Sequence, residues 1–359
     1  MGKRTNTAKW MESQNRWQIN VQKDGQRRSF YSSIPGRAGQ REANSKADAW
    51  LDNDIGDTRI RVEQLYTAFI ELKKASTSRS NWRNVDSRWR NHVKPYIGNK
   101  QAIKLTENDL QNIINKAYSH GLASKTLRSL RADLVAFCKY CRIEKATTLL
   151  PESLTIPSGA KRPQKRILQP HDLIKLFNID TTIMRGKRVP EEYIHAYRFE
   201  VLTGFRPGEI KGLEWTDREG DRIHLCRAVN WFGEVTQGKN ENAVRVVYLS
   251  KFAIAELDAQ YKLTGGQKSV FNISCLTTYY KHWTRYLESN GMAHTSPYEL
   301  RHTFVSIAKN LPEGMVKQIV GHSQNMDTWG VYSHRVEGEA EATSHQLNEL
   351  FSEVLQVKK

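Results

Sequence analysis

Long hydrophobic runs, cysteine and acidic charge are all scarce in this sequence of 359 residues. No stretch reaches the roughly 18 consecutive apolar residues that a membrane-spanning helix needs. The first ten residues, MGKRTNTAKW, lack the apolar core of a signal peptide. We therefore expect a protein of the cytoplasm, without a membrane span.

Only four cysteines are present, which is too few for a disulfide scaffold in so long a chain. Cys138 and Cys141 have the C-x-x-C spacing of some metal sites, but no second pair accompanies them. Both lie within a helical pattern, so we interpret them as one face of a helix with reduced thiols. The sequence predicts no metal site and no carboxylate cluster of the kind that a two-metal nuclease requires.

Basic residues exceed acidic ones, with 55 Lys and Arg against 38 Asp and Glu and a net charge of +17. That excess favours an anionic partner such as nucleic acid. Charge alone gives no function, because many basic proteins bind no specific DNA. The length predicts two or three domains.

Residues 8 to about 52 predict a small β module with one helix. Trp17, Ile19 and Val21 alternate with polar residues as in a half-buried strand, and Asp24-Gly25 is a hairpin turn signal. The second strand and the helix are predicted from Arg27, Arg28, Phe30 and Tyr31 and from Ala43, Ala47, Trp50 and Leu51. Such a sheet can lie in a DNA groove, and the alternative is a solvated sheet face.

Residues 59 to about 146 predict a helical domain. Its apolar stripes are Val62, Leu65, Phe69 and Leu72, then Trp82, Val85, Trp89 and Val93, then Leu127, Leu130, Leu134 and Phe137. Pro95 and Gly98 are expected to end the helix that carries the second stripe. Thr106 to Asp109 resembles a capping box at the start of the next helix, and Ser124 is expected to cap the helix that carries the third stripe. Cations such as Lys125, Arg128 and Arg131 would form a phosphate-binding surface or an ordinary solvated face.

Residues 151 to 166 hold three prolines and four cations without a periodic core, which predicts a basic linker. The chain from about 167 to 350 is then predicted to be mostly helical. One helix should run from Glu191 to Leu202 and end at Thr203-Gly204. A single β island is expected at residues 223–229, 233–236 and 244–249.

A set of polar residues in this last region lies at predicted turns and helix ends. Arg206 lies between Gly204 and Gly208, and Lys239 lies at a predicted hairpin tip. The remaining members of the set are Arg301, His302, His322 and Tyr332. Arginine grips phosphate bidentately, lysine and histidine donate protons, and a tyrosine hydroxyl can attack phosphorus.

In their order along the chain, these residues resemble the motifs of the tyrosine recombinases, the phage and conjugative-element integrases. The first arginine motif, T-G-x-R-x-x-E, matches Thr203, Gly204, Arg206 and Glu209, and the hairpin lysine matches Lys239. The second arginine motif matches Leu300, Arg301, His302 and Thr303, the G-H motif matches Gly321 and His322, and the Y-x-H motif matches Tyr332 and His334. One position departs: Tyr298 stands where the family usually has histidine.

The resemblance implies a mainly α fold with small β elements. Its domains would be an AP2-like arm-binding domain (1–55) with a three-stranded sheet, a SAM-like core-binding domain (56–150), the basic linker (151–166) and a catalytic domain with a tail helix (167–359). Arg206, Lys239, Tyr298, Arg301, His322 and Tyr332 would be catalytic, with Tyr332 as nucleophile. Arg27, Arg28, Lys125, Arg128 and Arg131 would bind DNA.

The implied activity is site-specific recombination through a 3′-phosphotyrosine, which integrates and excises a prophage or other mobile element in a bacterial cell. It needs no metal, ATP or other cofactor. The implied partners are duplex DNA with core-type and arm-type sites, three further copies of the chain in a tetramer, and an excisionase or DNA-bending protein.

Two other functions remain open. A DNA-binding regulator could keep this fold without catalysis, and a type IB topoisomerase shares the tyrosine chemistry. A Xer-like resolvase fits less well, because those chains lack an arm domain. The tail has an apolar stripe of Leu347, Leu350, Phe351 and Leu355. By resemblance it would exchange between protomers, and the alternative is that it folds back on its own domain.

Overall fold

The computed structural model describes residues 4–23, 26–52, 59–237, 244–321 and 339–356. Its backbone separates into two compact units, residues 1–163 and 164–359. Most of the described chain is helical, as predicted, and its sheets are small. No helix among the described residues is long and apolar enough to cross a membrane.

The first unit begins with a three-stranded antiparallel sheet in the order β1 (Lys9–Met11), β2 (Arg16–Lys23) and β3 (Gln26–Ser32). Helix α1 (Gly36–Asp52) packs on β2 and β3 and buries Ala43 and Ala47 completely against Ile19 and Val21. The predicted three-stranded sheet is therefore confirmed. The expected turn at Asp24-Gly25 lies outside the described residues.

Strand register separates the two arginines of β3. Arg28 pairs with the buried Val21, so both residues lie on the face of the sheet that packs on α1. Arg27 pairs with Gln22, and these two residues lie on the opposite face. Tyr31 shares the face of Arg27, is 40% exposed, and carries the Arg16 guanidinium 3.9 Å above its ring. The face away from α1 therefore presents Arg16, Arg27 and Tyr31 together.

The rest of this unit is helical. Its helices are α2 (Val62–Ser76), α3 (Arg79–Arg88), α4 (Lys94–Ile97), α5 (Glu107–Ser119) and α6 (Ser124–Ile143), with a π-turn at Trp89–Val93. They enclose a separate core in which Tyr66 stacks on Trp89 with ring centroids 3.7 Å apart. Cys138 and Cys141 are fully buried in this core, and burial raises the pKa of each thiol to about 12. The predicted helix face at the C-x-x-C spacing is confirmed.

Two details of these helices differ from expectation. Leu72 is 56% exposed, because the buried face of α2 turns toward Tyr66 and Ile70 instead. Ser124 does not cap α6 but is its first residue, and its N–H donates to the Lys161 carbonyl at 2.9 Å. The capping box at Thr106 is present, with the Thr106 N–H donating to Asp109 Oδ2 at 2.8 Å.

The predicted linker has no regular structure over residues 151–163, but it lies against these helices. Leu154 and Ala160 are buried in their core. The N–H groups of Ser153 and Thr155 donate to Glu107 at 2.6 Å and Gln111 at 2.9 Å. Proline has no backbone N–H, and this segment forms no helix or strand, so its backbone groups need partners elsewhere. Side chains of α5 and α6 supply them.

The second unit contains helices α7 (Pro170–Asn178), α8 (Ile194–Thr203), α9 (Pro207–Gly212), α10 (Lys251–Thr264), α11 (Leu276–Ser289), α12 (Pro297–Ile307) and α13 (Glu313–Val320). Its strands are β4 (Thr181–Met184), β5 (Lys187–Pro190), β6 (Arg218–Glu219), β7 (Arg222–Leu225), β8 (Ala228–Val229), β9 (Val235–Thr236) and β10 (Arg245–Tyr248). They form the antiparallel sheet β10-β7-β6 and the pairs β4-β5 and β8-β9. The predicted β island is therefore divided, and the hairpin β4-β5 was not expected.

The C-terminal helix, Glu339–Val354, packs on its own unit. Phe351 is 1% exposed and stacks on Phe304 of α12 at 6.4 Å, and Leu347 is also buried. The Ser344 hydroxyl donates to the Leu249 carbonyl at 2.6 Å. This packing corresponds to the alternative in which the tail folds back on its own domain.

We expect Phe351→Ala to destabilise the second unit by about 3 kcal/mol, because it opens a cavity beneath Phe304. Urea-dependent hydrogen exchange of peptides from α10 and α12 measures this loss in the full chain. The matched control is Glu349→Ala on the exposed side of the same helix, which should change stability by less than about 0.5 kcal/mol. Equal effects of the two substitutions would show that the helix is not anchored through Phe351.

Candidate functional site

Three arginines converge on the C-terminal end of α13. Arg245 Nε donates to the Ile319 carbonyl at 2.7 Å, and Arg301 Nη2 donates to the Val320 carbonyl at 2.6 Å. Arg206 Nη2 donates to the Gly321 carbonyl at 3.1 Å. The last carbonyls of a helix have no partner within it and carry partial negative charge, which favours cations at this position. These bonds fix the backbone immediately before His322.

The glycines of the first arginine motif are explained by close approach. Gly204 ends α8 with φ of 66°, and a Cβ there would lie 2.5 Å from Phe304. A Cβ on Gly208 would lie 2.7 Å from the Val229 carbonyl oxygen. The turn between them places Arg206 at the N-cap of α9, so its side chain extends toward α13.

Glu209 holds two of the arginines. Its Oε1 accepts from Arg206 Nη1 at 2.7 Å, and its Oε2 accepts from Arg245 Nη2 at 3.2 Å and from the Arg206 backbone N–H at 2.9 Å. The carboxylate is 2% exposed. Burial by itself would raise the pKa of Glu209, but Arg245 and Arg206 outweigh that effect, so its pKa is lowered below 4.5. Glu209 is therefore an ionised counterion within the arginine cluster.

Arg301 is the most enclosed of the three arginines, at 2% exposed. Besides Val320, it donates to the Gly204 carbonyl at 2.8 Å, which links α12 to the end of α8. Burial, followed by the nearby positive charge of Arg206, lowers the pKa of Arg301 to about 10. Arg301 is thus still charged at neutral pH, and the neighbouring positive charge of Arg206 repels it. An anion placed between them would relieve that repulsion.

Two buried residues of this site were missed by sequence reasoning. Sequence reasoning gives Arg245 no role, although it lies two residues before the buried Val247 and therefore on the same buried face of β10. Glu200, fully buried in α8, accepts from the Tyr279 hydroxyl at 2.8 Å, and burial raises its pKa well above 4.5. Helix α8 is buried on all sides, so no periodicity distinguished Glu200.

The start of α12 carries the departure from the family motif. Tyr298 is 38% exposed and meets the His302 ring edge-on at 5.3 Å. Tyr298 lies one turn before Arg301 on the same helix. Thr303 is buried, and its hydroxyl oxygen accepts a hydrogen bond from the Leu168 N–H at 3.0 Å. Thr303 therefore stabilises the fold by anchoring the start of the second unit.

The other predicted catalytic residues, Lys239, His322 and Tyr332, lie outside the described residues, as does His334. The described structure therefore brings together Arg206 and Arg301, and Tyr298 lies one turn before Arg301. In the first unit, Lys125, Arg128 and Arg131 are all exposed at a spacing of three residues on α6. Arg131 also donates to the Leu154 carbonyl at 3.3 Å. Arg27 and Arg28 are exposed on β3.

The arginine cluster is suited to binding a phosphate-like anion, and its bonds to the end of α13 hold the neighbouring backbone in place. Guanidiniums present paired N–H donors that match phosphate oxygens. Among the described residues, no group of three or more histidine, cysteine or acidic side chains is placed to hold a metal ion. Positive charge at this site is supplied by arginine.

Two family models match the chain. Residues 62–118 match the phage integrase N-terminal SAM-like domain, and residues 167–339 match the phage integrase family. The chain belongs to the phage integrase family, the tyrosine recombinases, which are site-specific enzymes that break and rejoin DNA. The regulator and topoisomerase alternatives are not favoured.

Relatives align along most of the chain. A tyrosine recombinase XerC-like protein of Caldanaerobacter subterraneus is 22% identical and covers 98% of this chain and 100% of its own length. The prophage integrase IntR of Escherichia coli is 21% identical over 58% of this chain and 57% of its own.

Solved structures share the fold. The Tn1549 transposon integrase in complex with transposon right end DNA has a TM-score of 0.61 at 18% identity, covering 80% of this chain and 99% of its own. A lambda integrase tetramer bound to a Holliday junction has a TM-score of 0.59 at 12% identity, covering 92% and 98%. The fold predicted from sequence is confirmed.

We expect Glu209→Gln to weaken the arginine cluster by about 3 kcal/mol, because it leaves buried cations without their counterion. Hydrogen exchange of peptides from α13 measures the loss at the affected place. The control is Glu313→Gln on α13 itself, where the Glu313 carboxylate is 81% exposed. If the backbone amides of α13 are equally protected from exchange in both variants, Glu209 does not stabilise the arginine cluster.

The same substitution should change the pH dependence of stability. Glu209 has a folded-state pKa below its ordinary value of 4.5, so its ionised form stabilises the fold above that pH. The contribution is lost as the pH falls through the lowered pKa. The acid-induced loss of α13 protection should therefore be smaller in Glu209→Gln than in the wild type.

Proposed function

We propose that this recombinase integrates and excises a mobile element by cutting DNA at core-type attachment sites through Tyr332. The observation that carries the proposal is the convergence of Arg206, Arg245 and Arg301 on the end of α13. The G-H motif continues directly from that end, and the nucleophile motif follows ten residues later. A phosphate bound by these arginines would be close to both motifs in the chain.

The chemistry follows from the phosphodiester. The Tyr332 oxygen attacks phosphorus and its proton passes to water, the bond from phosphorus to the 5′ oxygen breaks, and the protein becomes attached as a 3′-phosphotyrosine. Negative charge grows on the nonbridging oxygens, where Arg206 and Arg301 stabilise it. The ester preserves the bond energy, so religation by a 5′-hydroxyl needs no ATP.

The remaining residues act on protons and oxygens. Lys239 protonates the departing 5′ oxygen, which is far more basic than the lysine with its ordinary pKa of about 10.4. His322 donates a hydrogen bond to the phosphate. Tyr298, exposed beside Arg301, offers a hydroxyl to a phosphate oxygen where the family usually has histidine.

The first unit would bind DNA through both its helical part and its N-terminal sheet. Its helical part, about residues 56–150, is the core-binding domain, with Lys125, Arg128 and Arg131 on α6 facing phosphates. Residues 1–55 are the arm-binding domain, and the face with Arg16, Arg27 and Tyr31 is the one offered to DNA. Arg28 would reach only the edge of that surface.

Assembly on DNA would be tetrameric, since recombination exchanges four strands. The lambda integrase that shares this fold is a tetramer on a Holliday junction. We expect a monomer in free solution. Control of direction by an excisionase or a DNA-bending protein stays a prediction from the family resemblance.

Removal of the nucleophile gives the sharpest test. We expect Tyr332→Phe to lower covalent cleavage of a nicked suicide duplex by more than about 1,000-fold, because phenylalanine has no attacking oxygen. Binding to the same duplex should persist in a gel shift. The control is Tyr261→Phe, an exposed tyrosine of α10 that should cleave like the wild type. A covalent adduct formed by Tyr332→Phe would overturn the assignment.

Removal of the arm-binding domain should separate two kinds of binding. A chain starting near residue 56 is expected to cleave core sites but to lose arm-site binding and integration into a full attachment site. Gel shifts with separate arm and core duplexes measure both. In the full chain, Arg27→Ala should weaken arm binding more than Arg28→Ala, because only Arg27 lies on the face opposite α1. Undiminished arm binding by the truncated chain would rule out this role.

A further inference from the structure

An indole ring is presented to solvent on a fixed turn of the second unit. Trp231 is 54% exposed in the turn between β8 and β9. The Asn230 side chain holds this turn, since its Oδ1 accepts the N–H of Phe232 at 2.9 Å and the N–H of Glu234 at 3.1 Å. Gly233 has φ of 79°, which suits glycine. The ring is therefore held in place rather than buried.

Trp231 begins a series of aromatic rings. Its centroid lies 4.9 Å from that of Tyr280 on α11, at an angle of 56°. Burial raises the pKa of the Tyr280 hydroxyl, and the Tyr298 backbone N–H lowers it in part, so the two residues are neighbours. The Tyr298 ring meets His302 at 5.3 Å. We refer to Trp231, Tyr280, Tyr298 and His302 as the aromatic strip.

The aromatic strip adjoins the arginine site at two places. Tyr298 lies on α12 one turn before Arg301. At the other end, β8 packs on α9, where Gly208 comes close to the Val229 carbonyl two residues after Arg206. Exposed aromatic rings beside guanidiniums are the combination that binds single-stranded nucleic acid, where bases stack on rings and cations hold phosphates.

We propose that the aromatic strip stacks the bases that unpair next to the cleavage point, with Trp231 as the principal platform. This inference rests on the proposed function. After cleavage, the strand with the 5′-hydroxyl must leave its complement before it can join another duplex. Its first bases then expose faces that a paired duplex hides. An indole held at 54% exposure can cover such a face without rearranging the core.

The test compares binding to paired and unpaired DNA. Duplexes built on the junction sequence of the element are prepared fully paired or with a three-nucleotide 5′ flap at the nick, with 2-aminopurine in the flap. The full-length chain carries Tyr332→Phe so that binding stays at equilibrium. Adding Trp231→Ala should lower the preference for the flapped duplex about 10-fold, which is the loss of one stacked base. Quenching of the 2-aminopurine should fall with it.

Two further variants separate stacking from other effects. Trp231→Phe keeps a ring and should retain most of the preference. Tyr261→Ala removes another exposed ring, which meets Trp215 at the same 4.9 Å, and should leave the preference unchanged.

The proposal is overturned if Trp231→Ala weakens both duplexes equally, which would indicate a contact to paired DNA. It is also overturned if DNA binding is unchanged and self-association falls, which would indicate a protein contact. Covalent cleavage by the unsubstituted chain is measured in parallel. A chain that forms the adduct but shows no Trp231-dependent preference refutes only this inference, whereas absence of the adduct refutes the proposed function itself.

Discussion

The C-terminal end of α13 needs hydrogen-bond donors and positive charge, and three arginines from three different parts of the chain supply both. Arg206 comes from the N-cap of α9, Arg245 from β10 and Arg301 from α12. Unpaired helix carbonyls in a buried place would be costly, so the helix end and the arginines stabilise each other. This interaction determines where the backbone stands as it enters the G-H motif.

Three guanidiniums at one place would repel one another without a counterion. Glu209 provides it and remains ionised although it is buried, because Arg206 and Arg245 both donate to it. Arg301 has no carboxylate partner of this kind within the described residues, and its lowered pKa reflects burial and the charge of Arg206. The cluster is therefore stable as a fold element yet retains an unbalanced positive charge that a phosphodiester can neutralise.

Much of this could be predicted from the sequence, because the motifs encode backbone requirements. Gly204 allows a left-handed conformation at the end of α8 beside Phe304, and Arg206 follows it by two residues in the same motif. The sheet and helices of the first unit could be predicted from alternation and helical spacing. The failures have physical reasons as well. Ser124 resembles a cap, but backbone from residue 161 occupies that role.

Other features depend on contacts that no local pattern reveals. Arg245 looks like any cation of a short strand until its partners Glu209 and Ile319 are known. The hairpin β4-β5 is held on α11 by Ser289 and Asn290, about 100 residues away along the chain. Trp231 gains meaning only from its distance to Tyr280. Tertiary contacts decide these cases, and periodicity cannot supply them.

The central claim is that the segment following this arginine-bound helix end contains the nucleophile. Trapping the covalent complex on a suicide duplex, digesting it with trypsin and nuclease, and sequencing the nucleotide-bearing peptide by mass spectrometry tests it directly. The account predicts the peptide of residues 318–335, QIVGHSQNMDTWGVYSHR, with the phosphate on Tyr332. A nucleotide attached to any other peptide, or to a different side chain in this one, would contradict it.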